Sequence, residues 1–409
     1  MLLRRVVITG IGTVSPFGRG IQSLMDGLLA GRSGVVELPG LSDITGMRTR
    51  VAALATGVDP MEIPRKFRRA MSNMSVFATL ASQDAVAMAG LGPELLAGGA
   101  LGVSIGSTTG SPQTMEEFFR EFGADQSLER MKSTLFFHIM NHSCASNVAQ
   151  ALGVTGRILA PAAACSTSSH AVGYGAEMIG LGKQEFMLCG GADEFHPLTS
   201  GTFDIINAAS AGFNDTPTKT PRPFDVQRDG IVCGEGSGIL LLESLDSALA
   251  RGAEILAEVT GFATNSDPGS IANPEPACIA DCMRRALADA GITPGEVGYV
   301  NAHATATEHG DIAECAAIAE VFGAATPVSS LKGHLGHTMA ASGALELAAC
   351  VEMIRREVLI PTLNLDEIDP RCAGVLHQRE VAPRRVDLII KNNFALGGVN
   401  SSIILRRYR

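Results

Sequence analysis

One cysteine stands in unusual company. The segment 161–173 reads PAAACSTSSHAVG, with Cys165 among small residues and an Ala/Gly-rich helical pattern over 171–181 behind it. A cysteine at a strand-to-helix turn lies near free backbone amides and the positive end of the helix dipole, and both favour a thiolate of lowered pKa. The same amides suit a carbonyl oxygen that is becoming an oxyanion. Small neighbours let an acyl thioester approach. Taken alone, the segment fits a buried core thiol better. Two histidine segments change that balance. The run NAHATATEHGD over 301–311 follows a strand pattern, so His303 falls at a strand end, where α/β sheets carry functional loops. Thr305 and Thr307 alternate beside it and suit hydrogen bonds to an amide-rich ligand. The run KGHLGHTMAASG over 332–343 opens a helix carrying Glu346 and puts His337 at a helix start, where a neutral imidazole is favoured. Either histidine alone reads as structural. A thiol with two imidazoles, each at an element end among small residues, can do acyl chemistry.

Three other motifs mislead. VITGIGTVSP resembles a dinucleotide fingerprint, but its third glycine is missing and Pro16 sits inside the would-be helix. Residues 190–195, GGADEF, carry one residue more than the cyclase signature they resemble, and a tight turn explains the glycines better. His334 and His337 have a spacing that suits zinc on a helix, yet Gly333 and Gly336 argue for a loop and no carboxylate completes a set. We therefore expect no metal and no organic cofactor.

The elements that must position this set are short β-rich runs at 5–9, 101–105, 186–189, 238–242, 255–261, 297–300, 387–390 and 400–405. Ala-rich helical patterns lie between them at 75–89, 171–181, 276–290, 311–322 and 343–355. Strands alternating with helices of this length indicate an α/β protein. Continuous apolar strands such as GILLL indicate sheets covered on both faces. The polar stretch 214–230 reads as a long ordered loop. Residues 251–267 look like a seam, so we expect two halves, 1–250 and 251–409. The 409 residues are 46% hydrophobic, which excludes a disordered chain. The 46 glycines, without a collagen-like period, point to turns and close-packed sites. The formal charge of −10 argues against nonspecific nucleic-acid binding. No apolar run is long enough for a membrane span, and four apolar residues after two arginines are too few for a signal sequence. Nine cysteines without a CxxC pair read as reduced thiols of a cytoplasmic protein.

With these motifs the chain resembles the β-ketoacyl-acyl carrier protein (ACP) synthases, the condensing enzymes of bacterial fatty acid synthesis. The resemblance runs from VVITGIGTVSPFG to NNFALGGVNSS and includes the AACS segment, NAH-x-T-x-T, K-x-x-x-G-H and the R-P-F-D…R-D-G loop at 222–230. It implies an α/β thiolase fold of five layers, αβαβα, built from two similar halves, usually as a homodimer. It implies Cys165 as acylated nucleophile, His303 and His337 as the paired histidines, and Lys332 and Glu346 as supporting charges. Thr305 and Thr307 match pantetheine contacts, Phe394 an aromatic beside the site, and Thr109 a residue lining the far end of the acyl pocket. The implied reaction joins a Cys-bound acyl chain to malonyl-ACP with loss of CO₂. The backbone amides of Cys165 and of a residue in the Phe394–Gly398 loop, which includes Leu396 and Gly397, would stabilise the oxyanion.

Residues 65–69, RKFRR, hold four positive charges in an acidic chain. Such a run is often a solvated helix start. Because carrier proteins are strongly acidic, it would also steer one to the site. By resemblance Arg65, Lys66 and Arg69 match docking positions, and Arg130 and Lys132 extend the patch.

The chain departs from the family pattern at several points. Ala304 replaces a glycine, Ala306 a hydroxyl residue and Glu308 a proline, and His334 is extra. The common Phe-Gly-Phe-Gly-Gly becomes Phe394-Ala395-Leu396-Gly397-Gly398, so Leu396 stands where an aromatic gates the acyl pocket. These changes spare the catalytic set but open the substrate question. One alternative is a ketosynthase of a polyene, aryl polyene or polyketide pathway, paired with a chain-length subunit. Another is a non-catalytic chain-length or scaffold partner, against which Cys165 and both histidines argue. A thiolase would use a second cysteine as base.

Overall fold

The structure is a computed structural model that describes residues 3–129 and 131–409. Eleven strands lie along one continuous sheet path. They are β1 (Val6–Ser15), β2 (Leu101–Gly106), β3 (Ile158–Leu159), β4 (Phe186–Asp193), β5 (Gly236–Ser244), β6 (Ala257–Ser266), β7 (Tyr299–Asn301), β8 (Pro327–Ser329), β9 (Leu376–His377), β10 (Leu388–Ala395) and β11 (Val399–Arg406). Their spatial order is β9-β8-β7-β10-β11-β6-β1-β5-β4-β2-β3. The order repeats about its middle: β3-β2-β4-β5-β1 on one side matches β8-β7-β10-β11-β6 on the other, with β9 added at one edge. Within each set the outer strands run parallel and the inner ones antiparallel. The sets meet where Val6, Val7 and Ile8 pair with Val259, Glu258 and Ala257. The expected seam at 251–267 is therefore largely an interior strand.

Six helices cover these sets: α1 (Asn73–Ala89), α2 (Ser143–Leu152), α3 (Thr167–Gly180), α4 (Pro276–Asp289), α5 (Glu308–Phe322) and α6 (Ser342–Arg356). Helices α1 and α2 pack outside the first strand set, and α4 and α5 outside the second. Between the sets lie α3 and α6, which touch each other and both sets. This gives the α/β thiolase-like layering. Strands with helices on both faces need apolar side chains on both, and β1, β4, β5 and β10 are buried at every position.

Glycine explains the close layers, and two sequence readings change with it. Gly10 and Gly12 do not end the strand expected over 5–9: both lie within β1, which runs on to Ser15. A Cβ at Gly10 would stand 2.1 Å from the Ala85 carbonyl oxygen and one at Gly12 1.7 Å from that of Ala81, so only glycine admits α1 this close. Gly190 and Gly191 are not a tight turn either. They continue β4, where a Cβ at Gly190 would meet the Gly238 carbonyl oxygen at 1.9 Å. Residues 332–335, expected as a loop, form one helical turn.

Candidate active site

Cys165 lies on a 3₁₀ turn, Ala164–Ser166, that leads into α3. His303 and Thr305 lie on the loop after β7, and His337 on the segment between the Lys332–Leu335 turn and α6. Beside each of these a non-glycine residue takes a left-handed backbone: Ala164 at φ 45°, Ala306 at φ 68° and Met339 at φ 50°. Such conformations cost energy and persist where packing over-determines them. Here they turn the thiol and both rings toward one point. Reactive atoms of Cys165, His303 and His337 lie within 4.8 Å of one another. The two imidazoles stand edge to face with ring centres 5.3 Å apart, and Phe394 meets the His303 ring edge to face at 6.2 Å.

The three residues open on a cavity of about 520 Å³ that Thr305, Thr307, Phe394 and Leu396 also line. The Thr305 and Thr307 hydroxyl oxygens are 3.1 Å apart. Leu396 is 42% exposed, so it stands at an open edge of the cavity. Gly397 does not line the cavity; its φ of 90° accounts for the glycine. Thr109 is exposed and lies outside the cavity of this single chain. Arg65, Lys66 and Arg69 are exposed on a short helical turn, with the Lys66 ammonium 4.6 Å from the Phe67 ring centre. Lys132 is exposed, and Arg130 is outside the described residues.

Behind the histidines lies a buried charge set. The Lys332 ammonium is 2.7 Å from Glu346 Oε1, and that of Lys391 is 2.6 Å from Glu346 Oε2. All three side chains are fully dehydrated or nearly so. Glu314 accepts the backbone N–H groups of His303 and Ala304 at 2.8 and 2.7 Å, which fixes the loop. Asp311 takes those of Phe224 and Ala306, tying the 214–230 loop to the threonine segment. Glu314, Asp311 and Lys391 escaped the sequence reading. A lysine within the strand run DLIIKNNFA was the one visible signal for Lys391.

The electrostatics correct one expectation. The Cys165 thiol is not lowered by its helix: burial pushes it up to about 11, against the opposing Lys332 charge and amides of Leu396 and Cys165 itself. Dehydration outweighs the dipole because the thiolate would lose water on nearly all sides. Both histidines are held well below the usual imidazole range, first by burial and then by Lys332, with Lys391 acting the same way. Both are neutral at physiological pH, as expected for His337. The main cause is dehydration rather than a helix end. His334 is separate: its ring nitrogens lie against the carbonyl oxygens of Arg32 and Pro361 at 3.0 and 3.1 Å, which occupy the positions a metal would take.

The geometry has clear counterparts. The family model for "Beta-ketoacyl synthase, N-terminal domain" matches residues 3–248, and that for "Beta-ketoacyl synthase, C-terminal domain" residues 256–366. The chain belongs to the β-ketoacyl synthase family. It is 35% identical over 414 residues to 3-oxoacyl-[acyl-carrier-protein] synthase 1 of Escherichia coli (strain K12), covering all of both chains. A β-ketoacyl synthase structure from Burkholderia phymatum STM815 superposes with TM-score 0.95 at 41% identity, over 99% of this chain and 100% of that one. The ishigamide ketosynthase/chain length factor superposes with TM-score 0.92 at 32% identity over the whole of both chains. This β-ketoacyl synthase is thus an acyl-transferring condensing enzyme. No helix among its described residues is long and apolar enough to cross a membrane.

Proposed function

We propose that this enzyme elongates acyl chains carried on ACP, with Cys165 as the acylated residue and His303 and His337 as the donors for condensation. The convergence of one thiol and two neutral imidazoles on one cavity carries the reading. In loading, Cys165 sulfur attacks the acyl-ACP thioester. A new C–S bond forms, the bond to the carrier sulfur breaks, and the Cys165 proton ends on the departing carrier thiol. Lys332 and the nearby amides favour the transient thiolate. Malonyl-ACP then loses CO₂, and the electron pair of the broken C–C bond moves into an enolate. Two N–H donors aimed at that thioester oxygen stabilise it as charge develops. The carbanion attacks the Cys165 acyl group, and Cys165 leaves as thiolate and regains a proton.

Arg65, Lys66 and Arg69 are the docking site for the acidic carrier in this reading, since they are exposed and without an ion pair among the described residues. Thr305 and Thr307 bind the pantetheine arm. The enzyme works as a homodimer. Among the described residues edge strand β3 has no neighbour on one side, and Phe119, Leu128 and Phe136, in the stretch of chain between β2 and β3, are exposed. A partner there would bring Thr109 toward an acyl pocket. The chain divides into halves 1–250 and 251–409, neither active alone, because Cys165 and the histidines lie on opposite sides of that boundary. Nine free cysteines suit the cytoplasm.

A second reading keeps the chemistry and changes the substrate. Leu396 at the open edge of the cavity admits bulkier or stiffer chains than an aromatic gate. This favours a polyene, aryl polyene or polyketide pathway, and the likeness to the ishigamide ketosynthase/chain length factor supports it. Mass spectrometry of products from the purified enzyme, malonyl-ACP and a panel of acyl-ACP primers tests both. Preference for saturated chains selects the first reading, and preference for polyunsaturated or aryl chains the second. No product from any primer would contradict both.

A further inference from the structure

Strand β10 presents two polar side chains to the middle layer, and neither is used by the chemistry above. They are Lys391 and Asn393, two residues apart and hence on one face of the strand. Both are fully buried. Their neighbour Asn392 faces the other way, toward Met283 of α4. A buried lysine and a buried amide in one strand need partners, so where their hydrogen bonds go is informative.

Asn393 meets several polar partners. Its Oδ1 accepts from Ser169 Oγ at 2.7 Å. Its Nδ2 lies 3.3 Å from both Ser342 Oγ and His303 Nδ1. Its backbone oxygen accepts from Ser166 Oγ at 3.1 Å. Ser342 gives its own proton to the Cys165 carbonyl oxygen at 3.4 Å, so it must accept from Asn393. That fixes the amide with Nδ2 toward the histidine. His303 Nδ1 then faces a donor and has to be the bare nitrogen. The ring proton sits on Nε2. By contrast, neither ring nitrogen of His337 has a hydrogen-bond partner among the described residues.

Lys391 acts on the same ring through charge. The pair Lys332 and Glu346 would be neutral by itself. Lys391 adds a second cation on the free oxygen of Glu346, so the cluster beside the imidazoles is net positive. The other titratable groups facing the rings are the Cys165 thiol and the Glu314 carboxyl; Tyr299 of β7 and Cys350 of α6 lie behind Glu346 and Lys391. Glu314 spends both oxygens on backbone amides. The second lysine therefore opposes an imidazolium.

We propose that Lys391 and Asn393 are positioning residues that hold His303 as a neutral imidazole with its proton on Nε2, ready to donate to the enolate oxygen. The amide selects the tautomer, and the ammonium keeps the ring uncharged. The inference rests on the two-histidine reading, but it predicts a state of the resting enzyme that is observable without turnover.

The test is the histidine side-chain spectrum of the full-length enzyme labelled with carbon-13 and nitrogen-15, with His303 assigned by the resonance lost in His303→Ala. The expected result is a neutral Nε2–H ring whose shifts do not move between pH 8 and 5 (range chosen to bracket about 6.5, the ordinary imidazole pKa). In Lys391→Met the same resonances titrate at higher pH than in the parent. In Asn393→Asp the carboxylate accepts from Nδ1, so the proton moves there or the ring becomes charged. Condensation then falls about a hundredfold or more, within the range of a lost oxyanion donor, while acyl loading holds. Asn393→Ser, which keeps a donor, retains the Nε2–H signature. An Nδ1–H ring in the parent enzyme, or titration unchanged by Lys391→Met, would overturn the inference and leave the two-histidine reading standing. Should Lys391→Met not fold, Lys391→Gln gives the same charge change and the same readout. Normal condensation by His303→Ala would instead refute the reading beneath it.

Discussion

Cys165 and the histidine pair sit within one cavity, yet they are held by different physics. Around Cys165 the chain uses backbone and small side chains: a strained turn at Ala164, a helix behind it, and serines that bond to carbonyls of neighbouring segments. The Lys332 charge favours a thiolate, yet burial leaves the thiol in its protonated form. Around His303 and His337 the chain uses buried ions. Glu314 ties the loop, Asp311 ties the threonine segment, and two lysines share Glu346. The contrast fits the chemistry of each step. A thioester exchange needs access to carbonyl carbon and one oxyanion site. A decarboxylation that makes an enolate needs fixed donors whose charge state does not drift with pH.

The comparison can be broken at its ends. Replacing the nucleophile has the largest expected effect: Cys165→Ala should lose acyl loading by at least about a thousandfold, read as the missing acyl mass on the protein. His303→Ala and His337→Ala come next. Each should leave loading intact and lower condensation by about a hundred- to a thousandfold, read by product formation in single-turnover assays. Glu346→Gln tests the ionic side alone. It leaves two buried ammonium groups without their carboxylate and should cost about 3–5 kcal/mol of stability, measured by denaturant unfolding, whereas Ser166→Ala on the nucleophile side should cost only about 1 kcal/mol. The Cys165 side has its own pH signature. Because the thiol is pushed up to about 11, alkylation of Cys165 should climb with pH throughout the neutral and mildly alkaline range. A plateau near pH 7 would mean a thiolate already formed in the resting enzyme. The smallest effect is expected far from the chemistry. Charge reversal at Lys66 and Arg69 should raise the KM for ACP substrates several-fold at low salt, leave kcat nearly unchanged, and lose its effect at high salt.

How much was legible in the sequence follows the same division. The placement of Cys165 could be read because its determinants are local: small residues in a row, a turn, an Ala-rich helix. The strands were legible as apolar runs, although β1 was read too short because its glycines look like a turn until α1 is seen lying on them. The ionic side was mostly hidden. Glu346 and Lys332 are fourteen residues apart, but Lys391 reaches the same carboxylate from strand β10, and Glu314 works through backbone amides that no spacing rule reveals. Burial also reversed the expected direction for Cys165, because a helix dipole is visible in a sequence and dehydration is not. Thr109 lies exposed and away from the cavity of the single chain, and nothing in its local sequence shows that.

The separation of the two steps is the central claim, and intact-protein mass spectrometry of His303→Ala tests it directly. The variant is first loaded with acyl-ACP and then given malonyl-ACP. The account predicts that the acyl mass appears on Cys165 and persists after malonyl-ACP is added, with no β-ketoacyl product. Rapid loss of that adduct with normal product formation would contradict it.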